Sequence, residues 1–332
     1  MPGVSVRPPS GRSIDADRVL DLSIEPLLSK PLLVVTGKGG VGKSTVAAAL
    51  GTAAAARGLR VIVAEVAARD DVSRAFGSGA GPGAGETFVE RDLGDGLHHI
   101  SIDPESALEE YVKDQLPRGL SDVLASSRLF SYLVAATPGL RELLTVGKVW
   151  ELAQPDRRTP GAVPYDLVVL DAPATGHGVA VLTAPGTFAG AARVGPVARQ
   201  GGKIHDMLVD PARTAIVAVA TAEEMPVNET LALRETLRSE LAPQDLAAVV
   251  VNGVLPTRFR GADVRALEAA PPSRAIRAAR VEASRARAHR SQVSRLRRGL
   301  GPDVPVRTLP YLFEHEGLTG EQLARLGEEL VR

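Results

Sequence analysis

The 332-residue sequence predicts an α/β fold: a doubly wound, mostly parallel sheet with helices on both faces and a helical insert. Three observations carry that expectation. Short apolar runs recur from residue 31 onward, the gaps between them are long enough for helices, and the first run opens onto a glycine-rich loop.

Taken in order, residues 1 to about 29 read as a polar, Pro-bearing leader with one short helix and a mobile tip. Residues 30–332 read as a single nucleotide-binding domain. Leu32-Leu33-Val34-Val35 is its first strand, and Ser44 to Arg57 is an Ala-rich helix. Val61 to Val66 and Leu97 to Ile102 are the next strands. Leu167 to Leu170 is the most apolar run and is therefore placed centrally. Ala215 to Ala220, Leu246 to Val251 and Val304 to Leu309 complete the set. The interval of about 104–154 holds more apolar positions than one crossover helix needs. It is expected to form two or three helices, some projecting from the sheet, with most apolar positions packing on it. Gly77 to Gly85 reads as a flexible connection.

Between the first strand and its helix stands Gly37-Lys38-Gly39-Gly40-Val41-Gly42-Lys43-Ser44-Thr45, which matches G-x-x-x-x-G-K-[ST]. Glycine at 37, 39, 40 and 42 lets backbone N–H groups reach phosphates, and the following helix N-terminus adds a positive dipole end. Lys43 is expected at the β/γ-phosphates and the Ser44 hydroxyl on Mg²⁺. These features define a nucleotide-binding P-loop protein, with Mg²⁺ expected beside the phosphates; the loop alone does not tell an ATPase from a kinase.

Two further pieces follow. Asp171 closes the central strand, where a carboxylate would hold Mg²⁺ or cap a helix. Pro173, Thr175, Gly176 and His177 after it read as a loop able to switch conformation. Asn252 offers a purine both a donor and an acceptor, and it equally suits an Asn-Gly turn with Gly253.

Bulk properties narrow the partners. Lys plus Arg and Asp plus Glu both number 39, so no global field draws the chain to nucleic acid. No apolar run reaches membrane-spanning length. Arg7 and Arg12 are followed by Asp15, Asp17, Asp21 and Glu25 rather than the apolar core of a secretory signal, so a cytoplasmic protein is expected. With no cysteine there is neither a disulfide nor a thiolate metal site. Residues 274–298 form a basic helix with a single acid, Glu282. Nucleic acid or an anionic, peripheral membrane surface are candidate partners, but the helix lacks aromatics for base stacking, and a solvated or subunit-facing role fits better.

The chain resembles the deviant Walker A ATPases, a group that includes nitrogenase iron protein and the partition ATPases. Lys38 looks like their signature lysine. Asp171 to His177 resembles the second switch of the arsenite-pump and tail-anchored-protein-targeting ATPases. Asn252 to Pro256 and Leu309-Pro310-Tyr311 are similar to that family's adenine contacts, and Pro138-Gly139 with Glu142 to a turn in its insert. The resemblance implies Lys38 and Lys43 as catalytic lysines and a dimer closing across ATP to act on a client protein. Three departures accompany it. Ala67 stands where the family's water-positioning Asp belongs, with Glu65, Asp70 and Asp71 as nearby carboxylates. No cysteine exists to bind arsenite, and no Cys-x-x-Cys to bridge a dimer through zinc. A related subunit that carries the missing Asp would complete the site, so a homodimer and a heterodimer are both expected forms. The terminal stretch, Glu321 to Arg332, reads as mixed in charge and weakly amphipathic, which argues against a partition or cell-division role.

Overall fold

The computed structural model describes residues 23–66, 70–77, 87–115, 137–159, 161–191, 196–313 and 317–332. Its strands are β1 (Leu32–Gly37), β2 (Val61–Val66), β3 (Arg91–Gly94), β4 (Leu97–Ile102), β5 (Leu167–Ala174), β6 (Thr214–Thr221), β7 (Leu246–Val254) and β8 (Val306–Pro310). They form one sheet in the order β3-β4-β2-β5-β1-β6-β7-β8, parallel except for the β3–β4 pair. All seven strands read from the sequence are present, and β5 lies between β1 and β2 as its apolarity requires. The missed strand is the edge hairpin partner β3, whose Arg-Asp-Leu-Gly lacks an apolar run.

The helices are α1 (Lys43–Ala55), α2 (Asp71–Ala75), α3 (Pro104–Gln115), α4 (Leu140–Leu152), α5 (Thr175–Ala191), α6 (Pro196–Val209), α7 (Glu224–Glu240), α8 (Gly261–Ala269), α9 (Arg274–Leu300) and α10 (Gly320–Val331). Successive strand residues face opposite layers. Leu32 and Val34 join a core with Val146 and Val149 of α4, Leu182 of α5, Leu237 of α7 and Leu296 of α9. Leu33 and Val35 join a second core with α1, Leu323 and Leu330 of α10, and Leu28 of the 3₁₀ turn Glu25–Ser29 with Ile24 just before it.

α1 is apolar around its circumference and almost wholly buried, because α10 covers the side that the sheet leaves open. That covering corrects one expectation. The terminal helix is strongly amphipathic, and Leu323, Leu326, Leu330 and Val331 are buried. Its mixed charges occupy the outer face only.

Of the insert, α3 and α4 are described, and α4 packs against α5 as an ordinary member of the helical layer. Residues 116–136 and most of the Gly77–Gly85 connection fall outside the described residues, as do the leader up to residue 22 and Ala67. No described helix is long and apolar enough to cross a membrane.

Candidate phosphate-loop nucleotide site

The loop after β1 folds as its glycines dictate. Gly37, Gly40 and Gly42 all have positive φ, and a Cβ on Gly37 would collide with the Val219 carbonyl. Gly42 is the N-cap of α1 with φ 91°, and no side chain caps the helix. Its first N–H groups therefore point out of the helix end with the dipole behind them, the arrangement that receives phosphate. A Cβ at 42 would also overlap the Asn252 amide, so glycine is required twice at this position.

Lys43 Nζ donates to the Lys38 carbonyl at 3.1 Å, folding the lysine over the loop. The Ser44 hydroxyl donates to Asp171 Oδ2 at 2.5 Å. Asp171 is 1 % exposed on β5, paired with Val35 of β1 just before the loop. A hydroxyl and a buried carboxylate at the mouth of a phosphate loop fit Mg²⁺, which takes few protein oxygens and completes its shell with phosphate and water. Lys38 Nζ lies 2.9 Å from Glu229 Oε1 of α7. Among the described residues no cluster of three or more His, Asp or Glu could hold a different metal alone.

The base-side candidates converge. A cavity of about 570 Å³ is lined by Gly40, Val41, Gly42 and Thr45 together with Asn252, Gly253, Pro310 and Tyr311. Asn252 Nδ2 donates to the Val41 carbonyl at 2.9 Å, tying β7 to the loop. β7 runs on to Val254 with a register shift at Gly253, so the Asn-Gly pair forms a bulge rather than a reversing turn. Tyr311 and Phe313 pack edge to face at 4.9 Å on the rim.

The region after Asp171 differs from expectation. β5 continues through Pro173 to Ala174, and α5 begins at Thr175, so strand passes into helix without a loop. Ala174 pairs with Gly37, which extends the ladder past Asp171, where the strand was expected to close. Thr175, Gly176 and His177 form the first turn of α5; their side chains lie outside the described set.

Of the three carboxylates near Ala67, only Asp71 reaches the site. It shares a cavity of about 670 Å³ with Ser44 and Thr45. Glu65 is 0 % exposed and fully engaged, accepting from the N–H groups of Asp71 and Val72 and facing His99 Nε2 at 2.8 Å. Asp70 lies 3.4 Å from Arg91.

The basic helix is largely solvated, with Arg274, Arg277, Arg285, Arg287, Arg290, Arg297 and Arg298 all exposed, but several of its arginines also bind neighbouring elements. Arg280 caps the end of α8 through the carbonyls of Leu267, Glu268 and Ala270. Arg290 reaches Thr257, and Arg295 reaches Asn228. Arg285 and His289 line the cavity that holds Asn252 and Tyr311, as does Glu223. Sequence reading missed these three and Glu229. The one available signal was the i, i+4 spacing of Arg285 and His289, and nothing local anchored it to the loop.

A phosphate loop on a doubly wound parallel sheet, with a hydroxyl–carboxylate pair beside it, defines the class of P-loop nucleotide-binding proteins. Comparison with known proteins gives the family. The model described as "Anion-transporting ATPase" matches residues 30–194 and 189–282, and the chain belongs to that family. ATPase BagA of Mycobacterium tuberculosis is 34 % identical over 237 residues, 70 % of this chain and 68 % of that protein. An arsenical pump-driving ATPase of Escherichia coli is 28 % identical over 256 residues, 68 % of this chain but 40 % of the longer relative. ATPase ASNA1 homolog 2 of Paramecium tetraurelia is 26 % identical over 169 residues, 50 % of this chain and 48 % of that protein.

Proposed function

We propose that the chain is a switch ATPase that binds Mg²⁺ and ATP, dimerises across the nucleotide and couples hydrolysis to a conformational change acting on a client protein. The observation that carries this reading is the 2.5 Å bond from Ser44 to the buried Asp171, beside uncapped α1 N–H groups. In the proposed complex, the loop amides from Gly37 to Thr45 and Lys43 hold the phosphates, while Ser44 and Asp171 hold Mg²⁺. Bound there, Mg²⁺ would supply positive charge to offset the negative charge developing on the phosphates. Asn252, Pro310 and Tyr311 hold the adenine end. Lys38, once freed from Glu229, reaches the partner's nucleotide.

The relay has a physical route. Asp171 lies on β5, which runs on to Ala174 and feeds directly into α5, and α5 packs on α4 and α6. A shift at the phosphate end of β5 therefore moves the layer that carries the insert, rather than ordering a separate loop. Turnover of ATP by the purified chain, with Lys43→Ala as control, tests the enzyme. Co-purification with a non-hydrolysable ATP analogue tests the client.

A second reading is favoured by Ala67 together with the full engagement of Glu65. Here the chain is a weakly hydrolytic, regulatory subunit that pairs with a related ATPase carrying the missing Asp. Mixed dimers then turn over faster than this chain alone. Family-normal turnover by the isolated chain, abolished by Lys38→Ala, contradicts this version.

A further inference from the structure

We propose that Arg285 and His289 of the basic helix α9 recognise the nucleoside part of the bound nucleotide and set its base preference. The inference rests on the nucleotide-binding reading above. α9 lies far along the chain from the phosphate loop and carries no nucleotide motif itself, yet these two side chains, one helical turn apart, line the cavity that also contains Asn252, Pro310 and Tyr311. Neither Lys43 nor Ser44 lines that cavity; Ser44 lines the neighbouring one with Asp71. The arginine and histidine therefore belong to the base end, not the γ-phosphate end.

The local chemistry fits a neutral heterocycle. Leu255 N–H donates to His289 Nδ1 at 3.2 Å, so Nδ1 is unprotonated and the ring's proton sits on Nε2. Burial lowers the His289 pKa, and Arg285 lowers it further against an opposing pull from Glu223, so the ring is held as a neutral donor near pH 7. Most arginines of α9 that contact neighbouring elements are tied to backbone carbonyls or side-chain oxygens, whereas no hydrogen bond holds Arg285 among the described residues. Its planar guanidinium is thus available to lie on a base or to donate to its edge. Asn252 contributes the acceptor, because its Nδ2 is committed to Val41. Donors from α9 facing an acceptor from β7 make a site with polarity at both edges of a purine, which a phosphate-only site does not need.

The test compares Mg-ATP, Mg-GTP and magnesium tripolyphosphate binding by calorimetry to the full chain, to Arg285→Ala and to His289→Gln. Arg285 is exposed, and thermal melts of both variants check that the fold is kept. The expected result is about a tenfold weaker Kd for ATP in Arg285→Ala, a changed ATP-to-GTP ratio in both variants, and tripolyphosphate binding within about twofold of the parent, in keeping with one lost stacking or charged hydrogen-bond contact. Unchanged ATP affinity and base preference in both folded variants overturns the assignment while the nucleotide-binding reading stands. Equal loss of ATP and tripolyphosphate also overturns it, since the arginine then serves phosphate. Failure of the parent chain to bind either probe removes the nucleotide-binding reading, and this assignment with it.

Discussion

Lys38 Nζ and Glu229 Oε1 lie 2.9 Å apart within one chain, each side chain about one-third exposed. The lysine that the family resemblance directs toward a partner's nucleotide is therefore parked on α7 in the single chain. A partly exposed pair of this kind is worth about 0.5–1 kcal/mol. Glu229→Gln removes that hold, and ATP-dependent self-association is expected to tighten by about two- to fivefold per lysine released. Sedimentation with and without Mg-ATP measures it. Weaker association in the variant contradicts the parking role.

Asp171→Asn keeps the shape beside Ser44 but removes the charge that a cation needs. Mg²⁺-dependent enhancement of nucleotide binding is expected to disappear, and hydrolysis to fall by about 100-fold or more. A magnesium titration at fixed ATP reads the first effect and phosphate release the second. Retention of the parent's magnesium dependence would remove Asp171 from the metal site.

Gly42→Ala forces a side chain into the left-handed region, costing about 1–2 kcal/mol, and pushes it into the Asn252 amide. Loss of stability and of nucleotide affinity is expected. In a double-mutant cycle, adding Asn252→Ala should recover part of the stability but none of the affinity. Chemical denaturation and calorimetry separate the two outcomes, and strictly additive stability losses would contradict the contact.

On the far side of the sheet, Arg234 donates to both Asp245 oxygens and to the Leu300 carbonyl, pinning α7 to β7 and the end of α9. Burial pushes the Asp245 carboxyl up, but hydrogen bonds from Arg234, the Leu246 N–H and Arg238 outweigh it and hold the carboxyl below its usual range. Its folded pKa is thus depressed. The stability it adds is fully present above the unfolded value of about 3.9 and is lost as pH falls through the folded value. Asp245→Asn is expected to lower stability by about 1–3 kcal/mol at pH 7, and to flatten the loss of stability below about pH 4. Urea titrations across pH 3–7 measure both.

How much of this could be read from the sequence follows from the range of the signals. The phosphate loop, the β1 and β5 runs and the Ala-rich helix are local patterns with one physical meaning each, and the structure has them in place. Gly37 and Gly42 could be placed because backbone conformation is written within a few residues. β3 escaped because an edge strand needs no apolar face. The terminal helix looked weakly amphipathic because its charges dominate the composition while Leu323, Leu326 and Leu330 define the face. Strand running straight into helix after Asp171 was missed because Pro and Gly favour a loop locally, whereas pairing of Ala174 with Gly37 is a tertiary contact. Arg285, His289 and Glu229 reach the loop only through the order of strands, which no window along the chain reveals.

The central claim is that the loop from Gly37 to Thr45 binds a nucleoside triphosphate with magnesium. Titrating Mg-ATP into the folded chain and into folded Lys43→Ala tests it most directly. One saturable site per chain, weakened by at least about tenfold in the variant as expected for loss of a charged phosphate contact, is the predicted result. No binding heat from the parent chain, or equal affinity in both proteins, would contradict it.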